Sequence, residues 1–130
     1  MKHKLIVLAQ SVIEGVLDCG KACYPREGIL LLRGRIAKDK IVISEIEIPP
    51  LAVRGLSLSS FPLHMLPTDL SIIGTAHTHP SGVLHPSTVD LNHFYGRLMI
   101  IAAYPFELNQ DIAVFDAGGK RVDYEILKDG

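Results

Sequence analysis

The sequence predicts an α/β fold: one domain over residues 1–130, built on a central mixed sheet of about six strands with two main helices. Three observations carry this. Apolar runs of strand length recur along the chain, some continuous and some alternating, as strands buried on two faces or on one do. Two segments switch to helical spacing behind a capping pattern. The length of 130 residues suffices for one core and leaves no room for a second.

"KLIVLA" (4–9) is the first strand. Its basic start and short apolar run also fit the opening of a signal peptide. Gln10 and Glu14 interrupt that run and no small-residue cleavage site follows, so the reading is a strand in a cytoplasmic protein. "SVIE" (11–14) is a capping box and predicts a helix from Ser11 to about Ala22, with Val12, Ile13, Val16 and Leu17 on its apolar face and Pro25 beyond its end. "GILLLRGRI" (28–36) reads as a buried strand. After the turn "AKDK", "IVISEIEI" (41–48) alternates as its hairpin partner. A looser segment follows Pro49-Pro50. "LSLSSFPLHM" (56–65) has strand character, with Pro62 marking an edge or bulge. "SIIGTAHTH" (71–79) is a strand, "STVDLNHFYG" (87–96) a short helix closed by Gly96, and "RLMIIAAY" (97–104) a buried strand. Residues 111–127 read as a hairpin turning at Ala117-Gly118-Gly119.

Composition narrows the function. Thirteen Lys+Arg balance fourteen Asp+Glu, and the basic residues are scattered, so nucleic acid is not an expected partner. No apolar run approaches the length of a bilayer core, so no membrane is expected either. Cys19 and Cys23, spaced CxxxC rather than CxxC, share one helix face. Reduced, partly buried thiols are the expectation, and a disulfide stays open.

Chemistry concentrates in "HTHPSGVLHPSTVD" (77–90). His77 and His79 lie two apart at a strand end, so their imidazoles share one face, with Thr78 on the other. If the loop folds back, Asp90 supplies a third donor. Two imidazoles, a carboxylate and one open position form the layout of a catalytic zinc site rather than a closed structural one. "STVD" (87–90) reads equally as a capping box, with Ser87 and Asp90 only starting a helix. Thr78 and Ser81 are candidates for bonds to the histidines or the loop backbone. His85 reads as an exposed loop residue, and His64 and His93 as strand-edge and helix-surface residues. Glu14 is an alternative proton acceptor, but its place in the first capping box makes it structural.

The stretch resembles the signature of the JAMM (MPN+) metalloprotease family: His-x-His, seven residues, Ser, two residues, Asp. "YPREGILLLRG" (24–34) resembles the family segment in which a glutamate, here Glu27, opens the strand after the first helix. "MLP" at 65–67 and "YP" at 104–105 resemble short archaeal single-domain members, so the likeness spans nearly the whole chain. The resemblance implies an MPN fold, similar to that of cytidine deaminases, and one Zn²⁺ held by His77, His79 and Asp90. It also implies that Glu27 takes a proton from the attacking water and later gives it to the leaving amine, with Ser87 holding the oxyanion. The implied substrate is a ubiquitin-like small modifier, or a sulfur-carrier protein, joined through its Gly-Gly tail to a lysine. The 49–60 segment is a candidate for touching that modifier, and a homodimer is compatible with short strands and an exposed edge. Two alternatives stand: a non-catalytic MPN scaffold, and a relative of a bacterial MPN family tied to DNA repair, which shares "HPSG" and "PSxxD". The absence of His-x-Glu and Pro-Cys-x-x-Cys elements argues against a zinc deaminase.

Overall fold

The structure, a computed structural model, describes residues 4–49 and 71–128. Strand β1 (Leu5–Ala9) runs straight into helix α1 (Gln10–Cys23). Strands β2 (Ile29–Ile36) and β3 (Lys40–Glu47) follow as the expected hairpin. Then come β4 (Ile72–His79), the short helix α2 (Thr88–Asn92), β5 (Leu98–Ala103), a 3₁₀ turn at Asn109–Asp111 and β6 (Ile112–Phe115). Strands β7 (Arg121–Val122) and β8 (Glu125–Leu127) complete it. The strand expected at 56–65 and His64 lie outside the described residues.

The sheet is mixed, as predicted, but holds eight strands among the described residues rather than six, in the order β7-β6-β5-β4-β2-β3-β1-β8. The C-terminal segment contributes three strands where a hairpin of two was expected. Its hairpin holds only as far as Val122, where β7 pairs antiparallel with β6; residues 125–127 then pair parallel with β1 at the opposite edge. Eight strands laid flat would put those edges roughly 33 Å apart. The link from Val122 to Glu125 reaches at most about 11 Å. The sheet therefore curls until its two edges nearly meet.

Helix α1 packs on one face of the curled sheet. Val12, Ile13 and Val16 meet Leu8, Leu30, Leu32, Ile43, Ala76, Ile100 and Ala102 there in one core cluster. The opposite face carries a smaller cluster of Met99, Ile101, Ala113 and Phe115, covered by Leu84 and Phe94 from around α2. Because residues alternate along a strand, Ala76 on the α1 face puts Thr75, His77 and His79 on the α2 face.

Two predicted boundaries are corrected. Helix α1 starts at Gln10, with extended Ala9 in the N-cap position, so Ser11 lies inside the first turn and does not cap the helix. Glu14 is exposed and accepts from the Gln10 amide at 3.3 Å instead of closing a box. Helix α2 ends at Asn92, well before Gly96. Gly96 takes φ 77° in the turn that starts β5, where a side-chain Cβ would stand 2.5 Å from the Ile73 carbonyl oxygen. Its left-handed backbone therefore serves the strand and not the helix end.

Candidate metal centre

The second capping box forms as the sequence suggests. Ser87 Oγ accepts from the Asp90 N–H at 3.0 Å, and Asp90 Oδ2 accepts from the Ser87 N–H at 2.8 Å. This box turns the buried Asp90 carboxylate towards the end of β4. There Asp90 Oδ2 lies 3.0 Å from His79 Nε2, and Oδ1 lies 3.4 Å from His77 Nδ1. The loop thus folds back, and the metal-site and helix-cap readings describe the same atoms.

His77, His79 and Asp90 are of the donor types that divalent metals take. His79 Nδ1 lies 2.8 Å from the Val83 carbonyl oxygen, which can only accept, so Nδ1 holds a proton and Nε2 is the nitrogen that faces Asp90. His77 Nε2 is engaged by the Thr75 hydroxyl at 2.8 Å. His77 Nδ1 is left buried with no hydrogen-bond partner, facing Asp90. A buried polar atom without a partner costs free energy that coordination would recover. Two imidazole nitrogens and one carboxylate suit Zn²⁺ and leave room for a fourth ligand.

The same contacts tune the charges. Burial opposes protonation of His79, but its bonds to Asp90 and Val83, with the negative charges of Asp90 and Glu27, outweigh that and raise its pKa above the usual histidine value. Burial also opposes ionisation of Asp90. The imidazoles of His77 and His79 and the Ser87 N–H overcome it and hold the carboxyl well below the usual range. A low pKa on Asp90 keeps the donor anionic at any physiological pH.

Glu27 arrives from the neighbouring strand. Ile29 pairs with His77, and the Gly28 carbonyl accepts from the Thr78 N–H at 3.0 Å. Glu27 stands just before this paired stretch, exposed to solvent, and its negative charge acts on His79. Thr78 does not touch the histidines: its hydroxyl accepts from the Gly28 N–H at 2.7 Å on the α1 face. Ser81 bonds the loop, accepting from the Val83 N–H at 3.4 Å. Thr75 was missed in the sequence, although period-two alternation from His77 points to it. The Val83 carbonyl left no sequence signal, being backbone.

His85 is exposed and rests edge-on against Phe115 with ring centroids 5.5 Å apart; His93 bonds the Val89 carbonyl at the end of α2. Neither joins the cluster. Cys19 and Cys23 are free thiols with their sulfurs 3.9 Å apart, and burial, reinforced by Cys23, pushes the Cys19 thiol up to about 12.

The sequence profile of prokaryotic homologues of the JAB domain matches residues 9–113. The chain belongs to the JAMM/MPN family. Among its JAMM/MPN relatives, a probable metalloprotease of Haloferax volcanii is 30% identical over 132 residues, covering 96% of this chain and 81% of that protein. A JAB1/MPN-domain protein of Archaeoglobus fulgidus superposes with a TM-score of 0.70 at 26% identity, over 98% of this chain and 99% of that one. A structure described as a JAMM metalloprotease-like zinc site in the proteasome and signalosome superposes at 0.67 and 27% identity, over 95% of this chain and 99% of that one. No helix among the described residues is long and apolar enough to cross a membrane.

Proposed function

We propose that this JAMM/MPN protein is a cytoplasmic zinc-dependent isopeptidase. It cleaves the bond between the C-terminal glycine of a ubiquitin-like small modifier, or a sulfur-carrier protein, and a lysine amine or peptide. The observation that carries this reading is the convergence of His77, His79 and Asp90, with Glu27 next to Gly28, which is bonded to Thr78 between the two histidines.

His77, His79 and Asp90 would hold the metal. When bound, Zn²⁺ supplies a Lewis acid that activates water at neutral pH and polarises the scissile carbonyl. Glu27 is exposed and is not engaged with Asp90, so its carboxylate is free to take a proton from the attacking water and return it to the lysine amine as that departs. Ser87 Oγ accepts from the Asp90 N–H, which leaves its own hydrogen free to donate to the oxyanion developing on the carbonyl. An extended Gly-Gly tail offers no side chains to obstruct a narrow cleft. It can lie along a sheet edge and gain main-chain hydrogen bonds. The segment read as a modifier contact lies, beyond Pro49, outside the described residues.

The test is incubation of the zinc-loaded protein with a lysine-linked modifier conjugate, with and without a chelator, beside Glu27→Gln. Cleavage that stops with the chelator and with Glu27→Gln, while that variant still folds and holds zinc, is the expected result. Full activity in Glu27→Gln removes Glu27 from its role. A wild-type protein that binds no zinc favours the scaffold alternative.

A further inference from the structure

Glu27 ends a short exposed segment, residues 24–27, that joins α1 to β2. On its C-terminal side the chain is fixed at once, because Gly28 exchanges two hydrogen bonds with Thr78: its N–H to the Thr78 hydroxyl and its carbonyl to the Thr78 N–H. On its N-terminal side stands Tyr24, the residue after the last turn of α1, whose N–H donates to the Gly20 carbonyl at 3.0 Å. The Tyr24 ring stacks on Tyr104, with centroids 5.0 Å apart and planes 30° from parallel.

Tyr104 follows β5 and is itself fixed from two directions. Its N–H donates to the carbonyl of His79 at 3.1 Å. Its ring meets Phe106 edge-on at 6.1 Å. Phe106 is buried and takes φ 60°, a left-handed backbone uncommon outside glycine. It lies so close over Gly20 that a Cβ there would stand 2.4 Å from the ring. A ring wedged this tightly against α1 gives Tyr104 a rigid base. Strained backbone held in place by its surroundings clusters at functional sites.

We infer that Tyr24 and Tyr104 are positioning residues: their stack holds the segment carrying Glu27 against the strand end carrying His79. The inference rests on the reading of Glu27 as proton carrier. Glu27 is bracketed by two anchors, and both lead to β4: Gly28 through Thr78, and Tyr24 through Tyr104 to the His79 carbonyl. Removing the stack leaves Gly28 in place but lets residues 24–27 swing about it. A proton acceptor displaced by about 1 Å can cost a reaction 100-fold, whereas substrate binding elsewhere is untouched.

The experiment uses the zinc-loaded full chain, a lysine-linked modifier conjugate, and the variants Tyr24→Ala, Tyr104→Ala, Tyr24→Phe and Tyr104→Phe. The alanine variants should lose roughly 10- to 100-fold in kcat with KM nearly unchanged, and the phenylalanine variants should stay within about twofold of wild type, since stacking needs no hydroxyl. Zinc content and the melting temperature, followed in parallel, separate this from loss of the fold. A rise in KM at constant kcat makes the tyrosines substrate contacts and overturns the inference. So does phenylalanine as damaging as alanine, or unchanged kcat in Tyr24→Ala. Crystal structures of zinc-loaded wild type and Tyr24→Ala add a readout free of turnover: Glu27 should shift relative to His79 in the variant, and an unmoved Glu27 overturns the inference. If wild type cleaves no conjugate, the isopeptidase reading fails, and this comparison still decides the role of the stack.

Discussion

Ser87 caps α2, and the oxyanion role proposed for it is separable from the cap by one pair of substitutions. Ser87→Ala removes a single hydrogen bond of the capping box, the one from the Asp90 N–H at 3.0 Å. The reciprocal bond uses the Ser87 backbone N–H and survives any non-proline substitution. Loss of a serine cap to alanine costs about 1 kcal/mol, and loss to glycine only a few tenths. At about 1 kcal/mol the ratio of folded to unfolded protein drops roughly fivefold, which leaves a protein several kcal/mol stable almost wholly folded. Removing one oxyanion donor costs about 100- to 1,000-fold in kcat. The two effects thus differ by an order of magnitude or more in any activity assay. Thermal melts should show Ser87→Ala lowered by about 4 °C and Ser87→Gly by less. Steady-state cleavage of a modifier conjugate by the zinc-loaded proteins should show both variants reduced alike, by roughly 100-fold or more. If Ser87→Gly keeps half of the wild-type kcat, the hydroxyl donates nothing to the transition state and the residue is a cap alone. If activity instead tracks zinc content across the variants, Ser87 acts by presenting Asp90.

His79→Ala should lose stoichiometric zinc, read by elemental mass spectrometry after gel filtration; retained metal and activity would dismantle the donor set. Gly28→Ala places a Cβ 2.9 Å from Cys19 Sγ, 3.0 Å from Cys23 Sγ and 3.1 Å from Thr78 Oγ1, and should cost about 1–3 kcal/mol in urea unfolding, partly recovered by adding Cys23→Ala. The metal-free protein should lose stability at both ends of the pH scale. The depressed Asp90 pKa contributes stability that is complete above the unfolded value of 3.8 and is lost as pH falls through the lower folded value. The raised His79 pKa contributes stability that is complete below 6.5 and is lost as pH rises through the folded value. Urea midpoints in chelator from pH 3 to 9 check this, and a flat profile would refute it. Saturating zinc should remove the alkaline loss, because metal and proton compete for His79.

What the sequence revealed depended on how local the cause was. The hairpin of β2 and β3 is written in a continuous apolar run, a turn and an alternating run. The box at Ser87 and Asp90 is complete within four residues, so it was legible. The similar pattern at Ser11 and Glu14 failed because β1 enters α1 with no intervening loop, and Ala9 already supplies the extended N-cap. Gly96 looked like a helix end because sequence shows that a left-handed residue is needed, not which neighbour needs it. The pairing of β8 with β1 joins residues about 118 positions apart, as Val7 with Glu125, and no local pattern encodes it. At the site, alternation placed His77 and His79 on one face, while the bonding of Gly28 to Thr78, which brings the neighbouring Glu27 towards them, emerged only with the sheet.

The near-meeting of the two sheet edges bears on where this protein breathes. The join is made by its shortest strands, of two and three residues, and by the two residues between them. Strand β4 lies on the far side of the ring, flanked by β5 and β2, and is buried along its whole length. Fraying at the join is therefore a local event, and amide protons of β8 should exchange with solvent long before those of β4. A ring that opens at its seam leaves His77 and His79 undisturbed, so the wall that carries them stays still while β8 comes and goes.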